Sequence, residues 1–360
     1  MSHRRRPVRL TILAVATSLL VVVPAAAALA CGGLVTPNGT VSLVRTTTLA
    51  AYHQGVEHYV TSFEFAGADA TEVGSIVPLP GVPTKVIKGG DWTLQRLVLE
   101  TQPPQREAFA LAASAGEDAT VLLKTQIDAL DITVLEGGAV SVGNWAREHG
   151  FFLPPDAPEV LDFYARRSPI FMAVRFNVGR ADAQGVQAGQ GTPVHVVIPT
   201  PNPWVPLRIL SLGRNPGDLV QADVFLLTDV PPATLPQAVP STGDPNQRGM
   251  VEAVSEAAST SLLADLRSDR GMRWLPASGM WLTQLRIDTP ARDLTTDLAI
   301  DATGAGHPNP VAAGLPVTGT ADARTIVPWA VAWVAMGAFL IVIVAGGVDR
   351  RRRAAGRPAT

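Results

Sequence analysis

Cysteine is nearly absent from this sequence of 360 residues, since Cys31 is its single thiol. A lone cysteine cannot form an internal disulfide, so the fold must be held together by the burial of apolar side chains. Cys31 also lies close to the N-terminus, which argues against a buried cysteine nucleophile. The sequence therefore indicates neither a disulfide-rich scaffold nor a cysteine hydrolase.

Lysine is also scarce: 29 residues are basic, but only Lys85, Lys88 and Lys124 are lysines, and arginines concentrate at the two chain ends. Residues 31–319 hold 19 basic and 29 acidic residues, which gives this part of the chain a net charge of −10. A domain with this charge is repelled by phosphate backbones. We therefore expect no nucleic-acid partner.

The sequence lacks the short motifs that carry common enzymatic chemistry. It contains no His-Glu-x-x-His metal motif, no Gly-x-Ser-x-Gly nucleophile motif, no phosphate-binding loop and no dinucleotide-binding fingerprint. We therefore assign no catalytic residue, no cofactor and no metal ligand. A binding or structural role fits this pattern better than an enzymatic one.

What the chain does have is a long apolar run near each end. At the N-terminus, four arginines precede the apolar residues 10–23, and Ala28-Leu29-Ala30 follows. This order is typical of a secretory signal peptide over residues 1–30, which the secretion machinery cleaves after Ala30. Cys31 would then be the first mature residue. Lipidation of its sulfur is the alternative, although Ala28 and Leu29 stand in the reverse of the usual lipoprotein order.

The second apolar run covers residues 326–348 and carries no charge. A helix of that length spans about 34 Å, enough to cross the hydrocarbon core of a bilayer. Four arginines follow it directly: Arg350, Arg351, Arg352 and Arg353. Because such a cluster stays in the cytoplasm, we predict a transmembrane helix over residues 326–348, a basic cytoplasmic tail over residues 349–360, and the remaining chain outside.

A pentapeptide precedes the predicted span: Leu315, Pro316, Val317, Thr318 and Gly319. Pro316 stiffens an extended segment, and Gly319 lets another backbone approach closely. Together with the apolar span and the basic tail, the pentapeptide resembles the cell-wall sorting signal of Gram-positive surface proteins. The resemblance implies that the membrane transpeptidase sortase cleaves the Thr318–Gly319 bond and transfers Thr318 to the peptidoglycan precursor. The alternative is a permanent membrane anchor in which the pentapeptide is incidental.

Between the two ends, the sequence predicts an α+β fold that is rich in β-strands and has a few short helices. The clearest element is a hairpin of residues 40–52 and 56–66 around His53-Gln54-Gly55, with glycine at the turn. Residues 205–212 are read as a strand, and Asp91 is expected to cap a short helix.

The predicted ectodomain divides into segments by composition. Residues 31–229 form its β-rich part, and residues 250–302 continue it. The five prolines in residues 230–249 favour a linker or long loop. Glycine, alanine and proline predict a flexible stalk over residues 303–325, which includes the pentapeptide.

Six short stretches of the ectodomain resemble an exported bacterial family catalogued as domain of unknown function 2330. They are Cys-Gly-Gly-Leu-Val from residue 31, Gly-Val-Glu-His-Tyr-Val from 55, Gly-Ser-Ile-Val-Pro-Leu-Pro from 74, Gly-Asp-Trp-Thr-Leu-Gln-Arg from 90, Trp-Ala-Arg-Glu-His-Gly from 145 and Asn-Pro-Trp-Val-Pro-Leu-Arg from 202. The likeness covers about residues 31–288. It implies an extracytoplasmic domain without an established activity, so it supplies no catalytic residue.

Histidines are the first candidates for chemistry in the ectodomain. His53 and His58 flank the hairpin turn with Glu57 beside them, and these three side chains could hold a metal across two strands, although solvated side chains are the simpler interpretation. A cell-envelope hydrolase would need a histidine or carboxylate pair within hydrogen-bond reach in a cleft. We would expect His58, His149 and His195 to supply it.

Three further groups have simpler interpretations. Ser75 could be a nucleophile, but no nucleophile motif surrounds it. Four aspartates recur at spacings of four or five and are read as a solvated acidic tether rather than a calcium site: Asp288, Asp293, Asp297 and Asp301. Five tryptophans lie in apolar runs and are assigned to core packing: Trp92, Trp145, Trp204, Trp274 and Trp281.

These patterns predict an exported protein that crosses the cell membrane once, with its N-terminal domain outside, and that is attached to the cell wall by sortase. Its expected partners are the membrane, the secretion machinery, sortase and the peptidoglycan precursor. The domain is interpreted as a non-enzymatic binding or structural module of the envelope. A cell-envelope hydrolase and a type I membrane protein never linked to the wall are the alternatives.

Overall fold

The computed structural model describes residues 28–29, 33–35, 45–63, 72–101, 121–184 and 192–316. Its strands are β1 (Ala28–Leu29), β2 (Gly33–Val35), β3 (Arg45–His53), β4 (Val56–Phe63), β5 (Glu72–Leu79), β6 (Lys85–Lys88), β7 (Val121–Ile127), β8 (Leu130–Glu136), β9 (Ile170–Asn177), β10 (Thr192–Pro199), β11 (Trp204–Val205), β12 (Leu219–Thr228), β13 (Ala233–Leu235), β14 (Val239–Pro240), β15 (Gly249–Ala257), β16 (Trp281–Pro290) and β17 (Leu298–Asp301). Its helices are α1 (Thr93–Thr101), α2 (Ala139–Glu148), α3 (Ala157–Ala165), α4 (Val178–Ala183) and α5 (Thr260–Ser268), with 3-10 turns at Arg208–Ser211 and Ala291–Asp293. The β-rich α+β fold is confirmed.

The largest sheet is built around the hairpin of β3 and β4. Its order is β14-β15-β16-β12-β3-β4-β10-β6, and β1 pairs in parallel with β3. Gln54 and Gly55 form the turn with φ values of 49° and 80°. Two such residues suit the right-handed twist of the flanking strands. The predicted hairpin is therefore confirmed, and it brings the end of β3 next to the start of β4.

Two smaller sheets complete the fold. One has five antiparallel strands in the order β2-β5-β9-β8-β7, and the other has the order β11-β17-β13. The proline-rich stretch 230–249 contributes β13 and β14, which pair with β17 and β15. This stretch is therefore attached to the sheets at two points along its length. The strand read over residues 205–212 is instead mostly a 3-10 turn at Arg208–Ser211.

Side-chain alternation along the large sheet divides its residues between two cores. Ala50 and Tyr59 belong to a buried cluster that continues into the five-stranded sheet and into helices α2 and α3. Their chain neighbours Leu49 and Val60 point the other way, into a second cluster beneath α1 and α5. Both faces of the sheet are therefore covered, and a polar side chain on either face loses most of its water.

Helix α1 is capped by a distant residue and not by Asp91, which was expected to cap it. The backbone N–H groups of Asp91, Trp92 and Thr93 donate to the Asp269 carboxylate at 2.9, 3.0 and 2.8 Å. Asp269 directly follows α5, so these bonds hold the two helices together. Gly90 permits the close approach, because a Cβ atom there would overlap the Asp269 carboxylate.

Several sequence predictions fall outside the described residues. They concern the signal sequence up to residue 27, Ala30 and Cys31, Thr318 and Gly319, the span 326–348, and the arginines at 350–353. Among the residues that the structure does describe, no helix combines the length and the hydropathy needed to cross a bilayer.

Candidate functional site

The chain does not leave the domain at residue 303, where the flexible stalk was expected to begin. Ala312 and Ala313 are 5% and 0% exposed. The carbonyl of Ala313 accepts a hydrogen bond from the N–H of Asp297 at 3.1 Å. The small side chains that suggested a flexible stalk here allow close packing, so residues up to about 315 belong to the folded body.

The end of this packed segment is a capped turn. The N–H of Leu315 donates to the carbonyl of Pro310, and the N–H of Gly314 donates to the carbonyl of Val311, both at 2.9 Å. Gly314 has a φ of +80°. This pair of bonds around a left-handed glycine is the Schellman arrangement that ends a helical turn, and Pro316 cannot continue it. Leu315, the first residue of the pentapeptide, is therefore held by the cap.

The turn sits against an arginine surrounded by aromatic rings. The Arg167 guanidinium carbon lies 4.5, 4.8 and 4.3 Å from the ring centroids of Phe163, Tyr164 and Trp204, within the range of cation–π attraction. Gly314 lies directly over this group, because a Cβ atom there would overlap the Phe163 ring and the Arg167 guanidinium. Only glycine fits at this position without displacing its neighbours.

Asp297 is the counter-ion of Arg167 and lies at the centre of the same region. Its carboxylate pairs with Arg167, accepts from the Tyr164 hydroxyl at 2.9 Å, and accepts from the N–H groups of Leu207 and Arg208 at 2.7 Å. Burial raises the pKa of Asp297, although Arg167 and the other donors oppose that rise. The side chain is fully buried, so the interpretation of Asp297 as part of a solvated tether is corrected.

A polar cleft of about 160 Å³ opens beside the turn, between the loop after β10 and the loop after β17. Its polar groups are largely occupied by one another. Asn309 donates to the side-chain oxygen of Asn202 at 2.9 Å, and Asp301 accepts from the N–H of His307 at 2.9 Å. These hydrogen bonds fix the two loops. The Asp301 carboxylate is used to stabilise the turn at residues 301–307.

A second polar cluster lies on the opposite side of the large sheet. Nδ1 of His58 on β4 lies 2.9 Å from Nε2 of His195 on the neighbouring strand β10. The Trp274 ring stacks on His58 with a centroid separation of 3.5 Å and an interplanar angle of 10°. Strand pairing thus joins two histidines that are far apart in sequence.

Burial controls the charge of this cluster. It lowers the pKa of His58 to about 3, with further lowering by His195, His53 and Lys85, and it lowers the pKa of His195 to about 4. Glu57, next to His58 but on the other sheet face, has its pKa raised to about 8 by burial, and the nearby backbone N–H of Trp204 only partly offsets this. All three groups are therefore uncharged at pH 7.

The hairpin trio does not form a metal site. Glu57 and His58 are successive strand residues and point to opposite faces of the sheet. His53 instead places Nδ1 2.6 Å from the Asp229 carboxylate. Within the described ranges, no three histidine, cysteine, aspartate or glutamate side chains are arranged to hold a metal ion.

The histidines proposed for a hydrolase are only partly brought together. His149 lies at the end of α2, where its Nδ1 is 2.8 Å from the Trp145 carbonyl and its ring stacks on the Trp145 ring. Ser75 is fully buried within β5, where a polymeric substrate would not reach it. The structure therefore brings His58 and His195 together, whereas His149 and Ser75 lie elsewhere in the fold.

The tryptophan and aspartate interpretations hold for some positions only. Trp145 and Trp204 are buried as expected, whereas Trp92 is 44% exposed. Asp293 lies on the surface near Arg292, in keeping with a solvated position. The assignment to the core is therefore correct for Trp145 and Trp204 and wrong for Trp92, which lies just before the start of α1.

Sequence reasoning missed the residues that hold the C-terminal turn. Phe163 and Arg167 lie on and just after α3, more than 140 positions before Gly314. No local pattern connects them. The one usable signal was Gly314 itself, because a glycine followed by an apolar residue and a proline is a common helix stop.

The described chain is an α+β domain of two main sheets with a docked C-terminal turn and a buried histidine pair. Residues 24–300 match the family described as an uncharacterized protein conserved in bacteria (DUF2330). The chain therefore belongs to this family, and the resemblance seen in its six short stretches is confirmed.

Further comparisons add no functional assignment. No curated protein matches the sequence. Two crystal structures of a mutated baculovirus P35 after caspase cleavage, at 2.7 and 3.1 Å resolution, are similar at 9% identity with TM-scores of 0.37 and 0.36. The matches cover 71% and 74% of this chain and 99% and 100% of those chains. Likeness at this level supports no conclusion about function.

Proposed function

We propose that this protein is a non-enzymatic binding or structural domain of the cell envelope, exported, held by a C-terminal membrane span, and joined to the wall by sortase. The observation that carries the proposal is where the packed body ends. Ala313 is fully buried, whereas Leu315 is 38% exposed and Pro316 is also exposed. Among the described residues, the pentapeptide thus begins two positions after the last buried side chain, which is the position expected for a processing site between a domain and its anchor.

The transfer chemistry uses Thr318 as the acyl donor. A sortase thiolate attacks the Thr318 carbonyl carbon, the bond to the Gly319 nitrogen breaks, and Gly319 leaves as a protonated amine. An amine of the peptidoglycan precursor then attacks the thioester, forms an amide with Thr318 and releases the thiolate. No oxidant or cofactor is needed.

A non-enzymatic role is favoured by the polar groups of the domain. The histidine pair is buried and uncharged, and the carboxylates of Asp297 and Asp301 are engaged in hydrogen bonds within the fold. General acid–base catalysis needs a titrating group that can reach substrate. The net charge of −10 between residues 31 and 319 points to uncharged or cationic binding partners.

The test is cell fractionation of the full chain in its native host. We expect wild-type protein to be released from the wall with a mass that ends at Thr318, whereas Thr318→Ala stays in the membrane with its arginine tail. Val317→Ala is the matched control, because it changes the variable position of the pentapeptide and should still reach the wall. If wild type and Thr318→Ala both stay in the membrane, the wall link is disproved and a type I membrane protein is left.

A further inference from the structure

The capped turn at residues 309–315 limits how another protein can reach the pentapeptide. The N–H of Leu315 is bonded to the carbonyl of Pro310, and the preceding residue, Gly314, packs against Phe163 and Arg167. An enzyme that binds a peptide as an extended strand needs its backbone groups free for new hydrogen bonds. Leu315 cannot make those bonds while it caps the turn.

Reach imposes a second limit. Four extended residues, from Leu315 to Thr318, span at most about 14 Å. An enzyme that binds all four residues must therefore lie within that distance of the folded body. If the turn detached from the surface it packs on, residues 309–314 would add about 20 Å of chain. Release of the turn would therefore free the N–H of Leu315 and lengthen the chain between the folded body and Thr318.

The surface on which the turn packs contains groups that favour opening of the contact. Gly314 covers Arg167, whose Nε and Nη1 atoms are buried without a hydrogen-bond partner in the described structure. Buried donors without acceptors are unfavourable, and water could reach them once the turn lifts. Few contacts oppose opening: the two buried alanines, the bond from the Asp297 N–H to the Ala313 carbonyl, and the bond from Asn309 to Asn202.

We propose that the docked turn is an autoinhibitory contact, and that the turn must leave its seat on Phe163 and Arg167 before sortase can process the pentapeptide. The inference rests on the proposed function, because it concerns the regulation of that same processing site. The docked protein is a slow substrate and the undocked protein a fast one.

The experiment compares initial rates of processing by a purified sortase with triglycine as the amine acceptor. The substrates are the full chain in detergent micelles and a synthetic peptide of residues 311–322. We expect the peptide to react at least fivefold faster than the wild-type chain. Gly314→Ala should raise the rate of the full chain severalfold, because its Cβ atom displaces the turn from Phe163 and Arg167.

Gly306→Ala is the matched control. Gly306 has a φ of +75°, close to that of Gly314, but no atom lies within 4 Å of a Cβ placed there. Gly306→Ala therefore places alanine at a similarly unfavourable positive φ but creates no steric clash. We expect its processing rate to equal that of wild type. Hydrogen exchange of residues 309–316 reports docking directly, and Gly314→Ala should lose protection there while Gly306→Ala keeps it.

The outcomes separate the two proposals. If the peptide is not processed, the pentapeptide is no sorting motif and the proposed function fails. If the peptide is processed and the wild-type chain reacts equally fast, the autoinhibitory contact is disproved while the proposed function stands. A Gly314→Ala chain that loses protection in hydrogen exchange but gains no rate would disprove it as well.

Discussion

At the scale of single residues, the most unusual feature is that β4 carries ionisable side chains on both buried faces of one sheet. Glu57 and His195 are 0% and 1% exposed, and His58 is 9% exposed. Desolvation penalises the charged form of each group. Folding therefore keeps Glu57 protonated and both imidazoles neutral at pH 7, and stability must change as the unfolded chain titrates.

Glu57 should make the protein less stable as pH rises. Its pKa is about 8 in the folded state against 4.5 unfolded, so the stability associated with it is complete below pH 4.5 and lost as pH rises through 8. Glu57→Gln removes this titration. We expect the free energy of unfolding of wild type, relative to Glu57→Gln, to fall by about 2.5 kcal/mol between pH 5 and pH 7. Urea unfolding at both pH values measures it, and a constant difference would contradict it.

The histidine pair should act in the opposite direction. Because the folded-state pKa values of His58 and His195 are lowered, their contribution is present above pH 6.5 and lost as pH falls through about 4. His195→Gln removes one titrating ring and one of the charges that lower the pKa of His58. We expect its acid-unfolding midpoint, followed by circular dichroism, to move at least about half a pH unit lower. An unchanged midpoint would mean that other groups govern acid unfolding.

At the scale of elements, structure set by neighbouring residues was predictable from the sequence, whereas structure set by contacts between distant segments was not. The hairpin of β3 and β4 follows from Gly55 and the strand pattern around it. The 3-10 turn at Arg208–Ser211 instead replaces an expected strand, because Leu207 and Arg208 direct their N–H groups to Asp297. Leu207 and Arg208 are 90 and 89 positions away from Asp297, so no local sequence pattern contains both partners. The candidate histidines were identifiable by type, but strand order decided which of them meet.

The cap of α1 gives an element-scale prediction. Asp269 accepts the first-turn N–H groups and the Thr93 hydroxyl at 2.8 Å, so Asp269→Ala leaves several donors near α1 without acceptors. We expect a loss of about 2–4 kcal/mol in the free energy of unfolding. Asp265→Ala is the control on α5, the helix that Asp269 directly follows, because its pair with Arg96 is half-exposed and should contribute under about 1 kcal/mol. Equal losses in the two variants would argue against the cap.

At the scale of the whole molecule, the family match and the packed body end at different residues. The match stops at residue 300, whereas Ala312 and Ala313 are still buried. We expect a chain that ends at residue 302 to be less stable than one that ends at residue 316 by about 2 kcal/mol, with a melting temperature about 4 °C lower. Calorimetry of the two chains measures this difference. Equal melting temperatures would show that the turn adds nothing to the body.

The order of strands in the large sheet has a consequence for when the protein can fold. β3 pairs in parallel with β12, which places Thr46 opposite Ala222, and β12 then pairs with β16 near the end of the domain. Pairing over such distances makes folding slow, because a large loop must close before β3 and β12 can pair. A chain emerging from its N-terminus can form the β3–β4 hairpin and then add β6 and β10, but β12 and β16 join the sheet only later. The large sheet therefore stays incomplete until residue 290 has emerged, and its final assembly waits for almost the whole domain.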